Sequence, residues 1–119
     1  MDDLYSEMIV DHYKNPRNFS EMKDADLVGK GANASCGDMV EFFIKGEGKV
    51  DEVSFRGIGC ALSTAASSML TEKIKGMSFN DLRNMNYKDL EDLMGIEISP
   101  TRMKCVELPL KTVKKLLSK

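Results

Sequence analysis

Cys36, Cys60 and Cys105 stand in three widely separated segments, as Cys36-Gly37-Asp38, Gly57-Ile58-Gly59-Cys60-Ala61 and Arg102-Met103-Lys104-Cys105. A fold that uses them together must carry three distant stretches of chain to one place. No pair has the short C-x-x-C spacing of a zinc ribbon or a thioredoxin-like site. An odd cysteine count cannot close into intramolecular disulfides, and the polar, acidic start lacks the apolar core of a secretory leader. Reduced thiols and a cytoplasmic location are therefore expected.

A chain of 119 residues, 42% hydrophobic and 30% charged, fits one globular domain over residues 1–119 with a modest core. No apolar run approaches the roughly 20 residues that cross a bilayer, so no membrane partner is expected. The net charge of -2 and pI near 5.4 lack the basic footprint of a nucleic-acid binder. The one basic stretch, Lys111, Lys114, Lys115 and Lys119 after Lys104, suits the C-terminal dipole of a helix or, alternatively, an acidic partner.

Leu4, Tyr5, Met8, Ile9 and Tyr13 recur at steps of three and four, and Asn15-Pro16 stops the short N-terminal helix that this spacing predicts. Residues 17–38 are rich in glycine and small or polar residues; a mobile loop with a short strand near Leu27-Val28 is expected. Met39 to Lys45 and Val50 to Arg56 read as two antiparallel strands joined through Gly46-Glu47-Gly48. A helix follows from Ala61 along Leu62, Ala65, Ala66, Met69, Leu70 and Ile74, with Gly76 as its C′ residue. Ser78 and Asn86 cap two shorter helices, the second stopped by Gly95. Ser99-Pro100 opens a last helix along Met103, Val106, Leu110, Val113 and Leu117, with a kink expected at Pro109.

Cys36 and Asp38, two apart in extended chain, project to the same side, where thiolate and carboxylate can share one ion. Cys60 follows a flexible Gly57-Ile58-Gly59 and opens a helix, where backbone amides suit an anionic sulfur. Cys105 lies early in the last helix beside Lys104, whose amine is the weaker ligand candidate. Such donors suit tetrahedral zinc or an iron-sulfur cluster, and residue types alone do not choose between them. A buried structural thiol is the alternative for each cysteine taken singly. The single histidine, His12, is read as a packing or capping residue, which leaves no histidine base for a cysteine nucleophile.

The run Asp11-His12-Tyr13-Lys14-Asn15-Pro16-Arg17-Asn18, then Cys36-Gly37-Asp38, Gly57-Ile58-Gly59-Cys60-Ala61 before a Ser/Ala-rich helix, and Thr71-Glu72-Lys73-Ile74-Lys75-Gly76 closely resemble the U-type iron-sulfur cluster assembly scaffolds. That family comprises IscU, the N-terminal domain of NifU, and SufU. The resemblance implies an α+β fold, a small antiparallel sheet with helices packed on it, whose exposed end carries the site. Carried over residue by residue, the implied ligands are Cys36, Asp38, Cys60 and Cys105, holding a [2Fe-2S] cluster, with zinc as the alternative occupant. The implied partners are a cysteine desulfurase, recipient apo iron-sulfur proteins and a second copy of the chain, the last through Tyr5 and the first helix.

One departure separates the branches. IscU proteins carry Leu-Pro-Pro-Val-Lys-x-His-Cys before the third cysteine, whereas this chain reads Ile98-Ser99-Pro100-Thr101-Arg102-Met103-Lys104-Cys105. That counts against a histidine ligand and against docking to the specialised Hsp70 chaperone. Arg102 and Lys104 are instead similar to SufU, whose members hold zinc and accept sulfur; yet the SufU insertion between the second and third cysteines is missing. The leading expectation is a non-catalytic scaffold. The alternatives are a zinc-bound sulfur-transfer partner and a zinc-stabilised interaction domain without sulfur chemistry.

Overall fold

A computed structural model describes residues 3–34 and 37–118. The elements run α1 (Asp3–Lys14), β1 (Leu27–Asn33), β2 (Asp38–Lys45), β3 (Glu52–Ile58), α2 (Ala61–Ile74), α3 (Phe79–Arg83), α4 (Tyr87–Met94) and α5 (Pro100–Leu117). The three strands form an antiparallel sheet in the order β1-β2-β3, with helices packed on it, in agreement with the α+β expectation.

Alternation along β2 sets the two faces. Asp38, Val40, Phe42 and Ile44 point inward and are buried, while Met39 and Glu41 point outward. Their inward partners on β3 are Val53 opposite Ile44 and Phe55 opposite Phe42, whose rings stack 5.7 Å apart. Outward, Lys30, Glu41 and Arg56 are register partners across all three strands and form an ion-pair ladder. The core lies between the inner sheet face and the helices α2 and α5. α2 is buried almost all round; Ala65, Ala66, Ser67 and Ser68 keep its girth small enough to sit between sheet and helices.

The first strand corrects the sequence expectation. In place of a loop with a short strand near Leu27-Val28, seven residues pair with seven of the eight residues of β2, from Leu27 opposite Ile44 to Asn33 opposite Asp38. Gly29 and Gly31, loop-like in composition, are strand residues. They face α5, where a Cβ on Gly29 would lie 3.0 Å from Leu116 and one on Gly31 would lie 2.0 Å from Thr112 Oγ1. Glycine is there to let a helix lie directly on a strand.

At the hairpin end, Gly46 has φ 145° and Gly48 φ 72°, conformations that side-chain-bearing residues rarely adopt. β3 begins at Glu52 and runs on to Ile58, past the expected limits of Val50 and Arg56. Val50 instead bonds the turn after α2: its N–H donates to Met77 O at 2.8 Å and its carbonyl accepts from Gly76 N–H at 2.7 Å. Gly76 directly follows the Lys75 C-cap, with φ 89°. The remaining boundaries follow the expected signals. Ser78 Oγ accepts from Asp81 N–H, Asn86 makes a reciprocal capping box with Asp89, Gly95 ends α4 in the left-handed conformation, and Pro100 occupies the first turn of α5. α5 continues through Pro109. Among the described residues no helix is long and apolar enough to cross a membrane.

Candidate metal centre

Three elements meet at the end of the sheet away from the hairpin. β2 starts with Asp38, α2 starts immediately after Cys60, and Cys105 lies in the second turn of α5. Among the described residues, Asp38, Cys60 and Cys105 each offer a ligand atom, and these atoms lie within 4.8 Å of one another. Tetrahedral ligands at metal-sulfur bonds of about 2.3 Å sit about 3.8 Å apart, so small side-chain adjustments would close the three around an ion. Cys36, named with them from the sequence, lies outside the described residues.

Asp38 is the least ordinary member. It is 1% exposed, and its Oδ1 accepts from Cys60 N–H at 2.9 Å. Its Oδ2 is buried without a hydrogen-bond partner among the described residues. A buried acceptor left unmade costs about 1–3 kcal/mol, and more when charged. A cation would remove that cost, so the donor set fits a metal on the structure's own terms.

Cys60 is the N-cap of α2, where its Sγ takes the place of the usual hydroxyl or carboxylate and accepts from Ser63 N–H at 3.4 Å. It is exposed, whereas Cys105 is buried at 7% exposure. The site therefore has a closed floor, Asp38 and Cys105, and an open lip, Cys60. Sequence reasoning missed the role of Gly59. A Cβ there would lie 2.7 Å from Asp38 Oδ1, so glycine is what lets the carboxylate reach under the Cys60 amide. A glycine directly before a candidate ligand at a strand exit was the available signal.

His12 is not brought to the site. Its ring is buried against α2, with Nδ1 2.7 Å from Ser68 Oγ and Nε2 3.7 Å from Glu72, as the packing reading expected. Burial, reinforced by Arg17, holds its pKa below the ordinary histidine value. Nearby, Arg17 N–H donates to Ser68 Oγ and Asn18 Nδ2 to Thr71 Oγ1, so the segment after α1 is also fastened to α2. Lys104 is exposed on α5 beside Cys105. The side chain of Tyr5 lies outside the described residues.

The chain matches the family described as NifU-like N terminal domain over residues 4–119. It is 38% identical over 112 residues to the iron-sulfur cluster assembly scaffold protein IscU of Aquifex aeolicus, covering 92% of this chain and 71% of the relative. It is also 34% identical to the zinc-dependent sulfurtransferase SufU of Bacillus subtilis, covering 100% of this chain and 92% of the relative. That second alignment runs over 137 residues against 119 here, so the SufU relative carries sequence that this chain lacks. Among solved structures, FiSufU from Fervidobacterium islandicum AW-1 superposes with a TM-score of 0.78 at 28% identity over 97% of both chains. The N-terminal part of a NifU-like protein from Brucella abortus has the same fold, with a TM-score of 0.79 at 20% identity. The chain thus belongs to the NifU-like N-terminal domain family, the family of the IscU and SufU iron-sulfur cluster assembly proteins.

Proposed function

We propose that this protein is a non-catalytic scaffold on which a [2Fe-2S] cluster is built from iron and desulfurase-derived sulfur and then handed to apoproteins. The observation that carries the reading is the convergence of Cys60, Cys105 and Asp38, a carboxylate with one buried oxygen unpartnered among the described residues, at one open-lipped site. Cys36 completes the proposed ligand set. Thiolates suit iron in a cluster, while a hard carboxylate oxygen matches it less well, so Asp38 is the corner at which the cluster comes away. The partners in this reading are a cysteine desulfurase and recipient apo iron-sulfur proteins. The test is anaerobic reconstitution with iron, cysteine and a desulfurase, read by visible absorption and metal analysis. A chromophore that transfers to an apo-ferredoxin supports the scaffold; tightly retained zinc with no chromophore refutes it. Asp38→Cys should hold the cluster longer and transfer it several-fold more slowly, and unchanged transfer would remove Asp38 as the release point.

A second reading, a zinc-bound sulfur acceptor, is favoured by the likeness to the SufU relative over the whole chain and by Arg102 and Lys104 before Cys105. Against it stands the sequence that this chain lacks relative to that protein.

A further inference from the structure

We propose that the exposed face of α5 is a docking surface for the acidic surface of a recipient apoprotein. The assignment rests on the proposed function and deepens it by giving the recipient a stated chemistry. α5 holds five basic residues, Arg102, Lys104, Lys111, Lys114 and Lys115, and a single acid, Glu107, for a net charge of +4. The whole chain carries -2, so everything outside this helix sums to -6. The apolar side of α5 is buried in the core, and Lys104, Lys111 and Lys115 stand exposed on the other side, at steps of seven and four that keep them on one stripe. They span about 16 Å along the axis with gaps of about 10 and 6 Å, close to the screening length of about 8 Å, so they act as one positive patch.

Helix electrostatics do not account for the stripe. Cations favour the last turn, which Lys114 and Lys115 occupy, but Lys104 stands in the second turn and Lys111 in the middle of the helix. Lys111 pairs with Glu107 at 3.1 Å, yet its side chain stays 73% exposed and its charge is turned to solvent. Among the described residues, Lys104 and Lys115 have no ion-pair partner. α5 contains no Phe, Tyr or Trp on which a nucleobase could stack, and the -6 elsewhere repels a long polyanion, so the face suits a folded acidic protein and not a nucleic acid. Lysines are flexible, strongly hydrated point charges; they speed encounter without locking a geometry, as a hand-over that must dissociate requires. Lys104 adjoins Cys105, so a recipient steered to the stripe arrives beside the metal centre.

The test reverses the stripe at its two positions away from the metal ligands. Lys111→Glu combined with Lys115→Glu, and Lys111→Arg combined with Lys115→Arg, are compared with wild type, folding being checked by circular dichroism. Binding of the metal-free proteins to a fluorescently labelled, acidic apo-ferredoxin is read by anisotropy at low and at high ionic strength. The reversal is expected to weaken binding about tenfold at low salt, with the difference gone at high salt, while the arginine variant matches wild type. Should the reversed protein fail to fold, Lys111→Gln combined with Lys115→Gln gives the same readout with a loss of about threefold. Wild-type affinity in the charge variants, binding insensitive to salt, or no binding by the wild type overturns the proposal. So does tighter binding of the wild type to a short DNA duplex than to the ferredoxin, which assigns the face to nucleic acid. Reconstitution with iron, cysteine and a desulfurase separates the two claims. A cluster that assembles and then transfers equally fast from wild type and reversed protein defeats the docking face alone, and slowed assembly with unchanged transfer gives the face to the desulfurase and also overturns the assignment. Failure to assemble any cluster defeats the scaffold reading itself, whatever the anisotropy shows.

Discussion

The two ends of the β2–β3 ladder are built on opposite principles. At the hairpin end polar groups are answered: Gly46 N–H donates to Asp26 Oδ2 at 2.8 Å, Asp51 N–H to Lys45 O at 2.9 Å, and Phe79 N–H to Gly48 O at 2.8 Å. Val50 adds two further bonds to the turn after α2. At the other end, Asp38 is buried with one oxygen answered and one not, Cys60 is open to solvent, and Met39 and Ile58 are exposed apolar side chains at 58% and 78%. Each end has a carboxylate taking a backbone N–H, Asp26 from Gly46 and Asp38 from Cys60. Of these two carboxylates only Asp38 has a buried oxygen without a partner among the described residues; Ser54 Oγ, on β3, is the other such atom. Native proteins satisfy buried polar groups almost everywhere, so an unanswered oxygen on a carboxylate that shares a site with two thiols marks where stability gives way to function.

That contrast breaks most readily at Gly46. A Cβ there would meet the Lys49 carbonyl at 2.0 Å with φ at 145°, so Gly46→Ala should destabilise the fold by about 3 kcal/mol, measured by urea unfolding, while the folded fraction still binds metal. Asp26→Ala, which removes the carboxylate from Gly46 N–H, should cost about 1.5 kcal/mol and leave zinc affinity within twofold of wild type. Gly59→Ala should show the reverse pattern. Its Cβ displaces Asp38 Oδ1, a side-chain atom that can move, so stability should fall by only about 1 kcal/mol while zinc affinity falls about tenfold or more. Equal losses in both properties from all three variants would erase the distinction between the two ends.

A smaller effect belongs to neither end. Because the folded-state pKa of His12 lies below the ordinary value of 6.5, the unfolded chain binds the proton more readily than the native one. The contribution is fully present above about pH 6.5 and is lost as pH falls from there through the lowered native value. Urea midpoints between pH 7 and 5 should decline in the wild type and less steeply in His12→Gln. Parallel slopes would remove His12 from the account.

Much of this was legible in the sequence because local chemistry and tertiary need coincide. Ser78, Asn86, Gly95 and Pro100 mark helix limits through their own backbone preferences, and the alternation from Met39 to Ile44 required only one covered face. The first strand was not legible, since Gly29 and Gly31 carry the composition of a loop. Their meaning comes from Leu116 and Thr112, more than eighty residues away. Their spacing of two, which puts both on one face, was the clue. At the site the residue types were readable and the division of labour was not. Which sulfur is exposed, and which oxygen of Asp38 is engaged, depends on how the start of α2 meets β2.

The central claim is that Asp38 is kept under-satisfied for a metal, and Asp38→Ala tests it most directly. Urea unfolding of the metal-free protein and zinc binding by competition with a chromophoric chelator are measured on the same preparations. Removing the orphaned oxygen relieves its burial cost while giving up one bond to Cys60 N–H, so metal-free stability should stay within about 1 kcal/mol of wild type or rise. Zinc affinity should fall at least tenfold. A loss of several kcal/mol with zinc affinity unchanged would make Asp38 a structural brace and contradict the account.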